Sequence, residues 1–371
     1  MRLDTLCLRE FRNYRQEEIS FAPGVNIFLG RNAQGKTNLL EAVYLLAVGK
    51  SFRPAADLEM IRHGSASFKI TGVFHGADGA ELVTEYFVSV GEKVIRQNGM
   101  PLKRAWDIFG RVGVVLFSPD DLQLLKGGPE YRRAYLDLYL GQTNPQYRHD
   151  LYAYQRTMAQ RNQVLRRIRD GLAGRGELQV WNESLLDRAI GLIGGRLRAL
   201  SALAPLATGY HRRLTGGTEQ IELIYRLGGR DPVTEEIDLR NRLARELAAR
   251  EAEEIGRGVT VAGPHRDDLS IRFVTGHDLR SFGSQGQQRT AALAMKLAAL
   301  DFLRTTGDGQ PILLLDDVLS ELDDERRRAL LSLLAGAGQT LITSADAEEF
   351  GSLAREAERY RVDGGRVSRG A

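Results

Sequence analysis

With 371 residues and 43% hydrophobic content, the chain is long enough for one large domain or two ordinary ones, and it has the core-forming supply of a globular protein. Lys and Arg number 51 against 48 Asp and Glu, so the net charge of +3 permits a nucleic-acid partner without demanding one. A single cysteine, Cys7, excludes an internal disulfide. Charges at every few positions near the start argue against a signal peptide, and no apolar run approaches the roughly 20 residues of a spanning helix, so the expectation is a soluble, cytoplasmic protein with no membrane role.

MRLDTLCLREF alternates apolar and polar residues with period two and PGVNIFLG is a short apolar run, so both read as strands. TNLLEAVYLLAV, with Leu39, Leu40, Val43, Tyr44 and Leu46 at helical spacing, reads as an amphipathic helix. SFKITGVF, ELVTEYFVSV and EKVIRQN alternate between turn signals and predict an antiparallel meander. VGVVLF is another buried strand, ending at Ser118-Pro119-Asp120, a helix-start signal. From about residue 120 to 257 the patterns are helical (129–140, 147–170, 180–204 and 234–255), with one strand-like piece, EQIELIYRL. Strand and helix signals then alternate again: VAGPHRDDLSIRF, a helix after SFGSQGQQ, the strand PILLLDD, a helix near ERRRALLSLL and the strand TLITS. An α/β fold is therefore expected, with a discontinuous head of residues 1–119 and 258–371 and an inserted, mainly helical lobe of residues 120–257.

Gly30, Arg31, Asn32, Ala33, Gln34, Gly35, Lys36 and Thr37 spell GxxxxGK[ST] between a buried strand and a helix, the setting a phosphate-binding loop requires. Its glycines let N–H groups turn toward phosphates, Lys36 places a charge at the β and γ oxygens of ATP, and the Thr37 hydroxyl can hold Mg²⁺. Such a loop needs a carboxylate for the metal and, for hydrolysis, a base for water. The apolar strand PILLLDD delivers both: Asp316 as the Mg²⁺ partner and Asp317 to orient or deprotonate the water.

SFGSQGQQRT, heading its own helix, is surplus to a simple nucleotide binder, yet a Ser- and Gly-rich helix start is an anion site by its orphan N–H groups and dipole. Two anion sites and one nucleotide are reconciled if Ser284 and Gly286 cap the γ-phosphate held by a second copy, in a C2 dimer. Gly283, Ser284, Gln285, Gly286 and Gln287 resemble the signature of ATP-binding-cassette ATPases, and Ser320 to Asp323 resemble their dimer-contacting loop. Gly283 replaces the usual leucine. Asp317 stands where transporters carry glutamate, so a shorter carboxylate must reach the water and slow hydrolysis is expected.

LCLREFRNY, GRNAQGKTNLLEAVYLLAVGKSFR, FSPDDLQLLKGGPEYRRAYLD, QRNQVLRR, AGPHRDDL, FGSQGQQR and LLLDDVLSELDDERRRALL resemble, in that order, the RecF family of bacterial recombination-repair proteins, as far as about residue 344. The resemblance implies a cassette-type ATPase head with an antiparallel β-subdomain, its helical lobe standing where SMC and Rad50 carry a long coiled coil. It also implies an ATP-dependent homodimer that binds gapped DNA and single-strand/duplex junctions without sequence specificity, and that works with RecR and RecO to load RecA. By the same resemblance Arg12 and Asn13 sit where related heads touch nucleotide phosphates.

Candidate DNA contacts are Lys50 and Arg53, the cluster Arg161, Arg166, Arg167 and Arg169 with Tyr152 and Tyr154 upstream, and Arg326 to Arg328. The competing reading of each is a solvated helix face. His265 beside Asp267 and Asp268 reads as a structural turn in preference to a metal or acid–base site. Ser344 and Asp346 occupy the strand end where transporters carry a switch histidine, which leaves the γ-phosphate sensor unassigned. The alternative function is the nucleotide-binding subunit of a membrane transporter; a static chromosome-organising head is disfavoured by the lack of a heptad arm.

Overall fold

The structure, a computed structural model, describes residues 1–228, 236–307, 309–334, 336 and 338–370. Packing divides it into two compact units, one made of Met1–Asp121, Arg213–Gly216 and Lys296–Ala371 and the other of Leu122–Arg212 and Gly217–Met295. In chain order the first stretch holds β1 (Arg2–Phe11), β2 (Tyr14–Ser20), β3 (Val25–Leu29), α1 (Lys36–Val48), β4 (Ser67–His75), β5 (Glu81–Ser89), β6 (Glu92–Gln97), β7 (Met100–Pro101) and β8 (Val114–Phe117). Then come α2 (Gln123–Lys126), α3 (Pro129–Thr143), α4 (Pro145–Arg169), α5 (Gly176–Leu214), β9 (Ile221–Arg226), α6 (Glu236–Arg257), β10 (Asp268–Phe273), α7 (Leu279–Phe282) and α8 (Gln285–Thr306). The chain closes with β11 (Ile312–Asp316), α9 (Asp324–Leu334), β12 (Thr340–Ser344), β13 (Glu358–Asp363) and β14 (Arg366–Arg369).

The first unit has two sheets. One runs β14-β13-β3-β12-β11-β8, parallel except for the terminal hairpin, and the other is antiparallel in the order β2-β1-β4-β5-β6-β7. Every residue of β11 is buried, as a central parallel strand requires. Helix α1 packs against strands of both sheets and is buried almost all round, so its pattern is that of a core helix and not of the amphipathic one expected. The expected meander is present. Strand β2 is invisible in the sequence because it lies at a sheet edge and buries only Tyr14 and Ile19 among polar residues. The hairpin of β13 and β14 lies beyond the last element expected.

In the second unit, helices α3 to α6 accompany a two-stranded antiparallel sheet in which β10 pairs with β9 from Asp268↔Arg226 to Phe273↔Ile221. That pairing carries residues 258–295, signature loop included, into the helical unit, so the packing does not divide at the expected 257/258 junction. Residues 234–235, the first two of the helix expected at 234–255, lie outside the described residues. Helix α5 is the one described helix long and apolar enough to cross a membrane, contrary to the expectation that no window comes close; half of its apolar window is buried in the protein, and Arg196 pairs with Asp137 at its middle, as in a core helix.

Candidate nucleotide site and signature loop

The phosphate loop leaves the end of β3 and closes on α1. Gly30 is required because a Cβ there would lie 2.3 Å from the Val362 carbonyl oxygen, and Gly35, at φ +119°, would place one 2.8 Å from the Asn13 amide. Ala33 also has positive φ, at +66°. The loop is braced from two sides. Asn13 donates to the Gln34 carbonyl at 2.8 Å and accepts from Asn38 at 2.9 Å. The turn of the C-terminal hairpin donates from Gly364 N–H to Gln34 Oε1 at 2.7 Å and from Gly365 N–H to Gln34 O at 3.0 Å.

Lys36 folds back so that its Nζ donates to the carbonyls of Gly30 and Arg31. Burial lowers its pKa, opposed by the charges of Asp317 and Asp316. Thr37 Oγ1 donates to Asp316 Oδ1 at 2.9 Å, and Thr343 Oγ1 reaches the same oxygen at 2.9 Å. Burial raises the pKa of Asp316 against those two hydrogen bonds and the charges of Arg53 and Lys36. Asp317, also raised by burial, sits at φ +53°, uncommon for an aspartate, with its N–H held by Thr343 O and Oγ1 at 3.2 and 3.1 Å. These groups open on a cavity of about 620 Å³ whose wall adds Asn38, Phe52, Arg53 and the Ser118–Asp120 segment after β8. The size and the few convergent polar groups suit a nucleotide. The hydroxyl and carboxylate pair of Thr37 and Asp316 is an all-oxygen donor set that fits Mg²⁺.

Arg12 is held bidentate by Glu41, at 2.9 and 2.6 Å, and neither Arg12 nor Asn13 is part of the cavity wall. Arg53, expected at DNA, does line that cavity, donating to Asn38 at 2.9 Å and lying 3.6 Å from Glu41. Glu41, wholly buried on α1, gathers Arg12, Arg53 and the Ser51 hydroxyl, and the sequence marks it only as a lone charge in an otherwise apolar helical run, with no sign of its partners.

In the second unit, Ser284 and Gln285 are exposed, and Ser284 caps α8 reciprocally with Gln287: Ser284 N–H donates to Gln287 Oε1 at 2.7 Å and Gln287 N–H to Ser284 Oγ at 3.3 Å. Gln288 ties this start to α7 by donating to the carbonyls of Leu279 and Arg280. In the first unit, Ser320 donates to the Asp317 carbonyl at 2.8 Å and Asp323 caps α9 by accepting from Arg326 N–H at 2.9 Å.

Of the DNA candidates, Lys50, Arg166, Arg167 and Arg169 are exposed, with Arg167 paired to Glu177 and Arg169 to Asp170. Arg161 is a correction: it is wholly buried and satisfied by Asn182, Thr260 and Glu254, so it is a core ion pair and not a surface cation. Tyr154 is likewise buried, its hydroxyl 2.6 Å from His265 Nδ1. His265 is held neutral by burial, with its pKa lowered to about 4, and bonds the Thr260 carbonyl at 3.0 Å in the part of a structural turn. Ser344 Oγ turns to Glu349 and to the Asp346 carbonyl, a local turn.

Residues 1–113 match the family model described as AAA ATPase domain. The chain is 43% identical over 377 aligned positions to the DNA replication and repair protein RecF of Heliobacterium modesticaldum, covering 100% of this chain and 99% of the relative. Among solved structures, that of the recombination mediator protein RecF with ATP in the RecFOR pathway aligns with a TM-score of 0.91 at 34% identity, over 100% of this chain and 98% of the other. A Pyrococcus furiosus Smc head bound to the C-terminal domain of ScpA aligns with a TM-score of 0.59 at 16% identity, over 100% of this chain and 96% of the other, a likeness of fold alone.

Proposed function

The chain belongs to the RecF family of DNA replication and repair proteins, and from that premise we propose that it is an ATP-dependent clamp that closes as a homodimer on gapped DNA and single-strand/duplex junctions. It works there with RecR and RecO in loading RecA. Family membership over the whole chain displaces the transporter-subunit reading. The observation that carries the proposal is the Lys36, Thr37 and Asp316 constellation on one cavity, with Thr37 and Asp316 joined at 2.9 Å.

The N–H groups of the phosphate loop and the Lys36 ammonium bind the β and γ oxygens of ATP. Thr37 and Asp316 would hold Mg²⁺, which supplies neutralisation of the phosphate charge. Asp317 orients the attacking water and accepts its proton on the carboxylate. Because it is one methylene shorter than glutamate, turnover is slow and ATP acts chiefly as a switch, with DNA as its stimulus. Ser284, Gln285, Gly286 and Gln287 of one copy complete the site of the other, with Ser320 and Asp323 at the contact between copies. Lys50, Arg166, Arg167 and Arg169, all exposed, supply phosphate contacts, and such contacts follow DNA structure and not sequence.

With ATP and Mg²⁺, sedimentation is expected to give a species of twice the monomer mass that Ser284→Arg loses; a dimer indifferent to nucleotide would sink the shared-site mechanism. Affinity for gapped DNA is expected to fall with salt at a log–log slope of about −0.9 per duplex phosphate contacted, or about −0.7 for single strands, and a flat response would remove DNA as the partner.

A further inference from the structure

The first turn of α8 closes on itself through the reciprocal Ser284 and Gln287 hydrogen bonds. The Ser284 N–H is a donor only and so takes the oxygen of the Gln287 amide, which leaves the NH₂ end to be held elsewhere. A third residue holds it. Glu219, in the connection between α5 and β9, accepts from Gln287 Nε2 at 2.7 Å. An ionised carboxylate only accepts, so it claims the NH₂ end and turns the oxygen of Gln287 to the Ser284 N–H. Glu219 is itself backed by His211 of α5, wholly buried, with Nε2 4.0 Å from the carboxylate. The amide plane of Gln287 is thus held at both ends.

We infer that Glu219 is the positioning residue of the signature loop, acting through Gln287 to hold Ser284 in its capping conformation and keep the first turn of α8 ready for the γ-phosphate of ATP on a second copy of this chain. The inference rests on the proposed reading in which the signature completes the partner's site. With the N–H groups of Ser284 and Gln287 already satisfied, those of Gln285 and Gly286 lie in the first turn, where no intrahelical acceptor exists, and the Ser284 hydroxyl keeps a proton to donate. An anion arriving at this turn meets donors already oriented, and the ordering cost of binding falls. Because Glu219 sits between α5 and β9, a displacement of that connection changes the amide orientation and with it the cap.

The test compares full-length wild type, Glu219→Ala, Glu219→Gln and Ser284→Arg. Two quantities are read: the dissociation constant of the ATP-dependent dimer by sedimentation, and the affinity for a fluorescent ATP analogue at concentrations where the protein is monomeric. Glu219→Ala is expected to weaken the dimer about tenfold, the scale of one lost hydrogen bond to a charged group, with monomer affinity for the analogue unchanged. Glu219→Gln keeps an oxygen acceptor for Gln287 and removes a negative charge near an anion site, so its dimer is expected to be as tight as wild type or tighter. If Ser284→Arg loses the dimer while Glu219→Ala keeps it, the inference falls and the shared-site reading stands. If Ser284→Arg also keeps it, the shared-site reading falls and takes the inference with it. Equal loss in Glu219→Ala and Glu219→Gln would assign the effect to charge, and a fall in monomer affinity for the analogue would assign it to misfolding; either overturns positioning through Gln287.

Discussion

Lys36→Met is expected to abolish the stabilisation that ATP confers while leaving the free protein folded. The substitution keeps an unbranched apolar stem in the first turn of α1, where Lys36 is buried, and removes only the ammonium. In the free protein that ammonium lies against two loop carbonyls and is partly desolvated, as the downward pKa shift by burial reflects, so its loss costs the resting fold little. In the proposed nucleotide complex the same group would face the phosphate oxygens, while Arg12 is held by Glu41 and Arg53 by Asn38. A ligand at about 100 times its Kd stabilises by about 2.7 kcal/mol, which moves the melting temperature of a domain of this size by roughly 5–10 °C. Thermal unfolding with and without ATP and Mg²⁺ reads this directly. A Lys36→Met protein that keeps the ATP-dependent shift would overturn the phosphate-loop assignment.

The residues legible from sequence are those whose chemistry is local. The phosphate loop is set by spacing within eight positions, the paired aspartates by the apolar run before them, and the signature by small residues at a helix start; each needs only its own strand or helix to be recognised. What the sequence does not display is made by partners far apart in the chain. Glu41 looks like a misplaced charge in an apolar helix until Arg12 and Arg53 arrive from other segments. Gln34 shows no sign of the Gly364 and Gly365 amides that brace it across 330 positions. The junction of the units is hidden for the same reason, since β9 within the helical stretch takes its pairing partner from beyond residue 257. Arginine clusters are the least legible of all: Arg161 and Arg166 stand five positions apart on α4, yet one is wholly buried and the other exposed.

That contrast carries the second large prediction, Arg161→Met. Arg161 and Glu254 are both fully buried and bonded at 2.5 Å; the guanidinium also reaches Asn182 and Thr260, and the other carboxylate oxygen of Glu254 accepts from Val261 N–H at 2.7 Å. Removing the arginine strands a carboxylate that keeps a single backbone donor, and breaking one side of such a pair costs about 3–5 kcal/mol. Removing both sides is a different matter. Arg161→Met with Glu254→Leu deletes the desolvated charges together, and apolar replacements of similar volume are often neutral or stabilising, so the double variant is expected to recover most of the loss. Trp181 lies on α5 against Val164, Leu165 and Leu178, next to the Asn182 that Arg161 holds, so its fluorescence in a Trp106→Phe background follows unfolding of this region in denaturant. The surface-cation reading makes the opposite forecast: unchanged stability in Arg161→Met and a DNA salt slope smaller by about one phosphate contact. A lowered denaturation midpoint restored by the second substitution assigns Arg161 to the core of the unit, and leaves the exposed Lys50, Arg166, Arg167 and Arg169 as candidates for DNA contact.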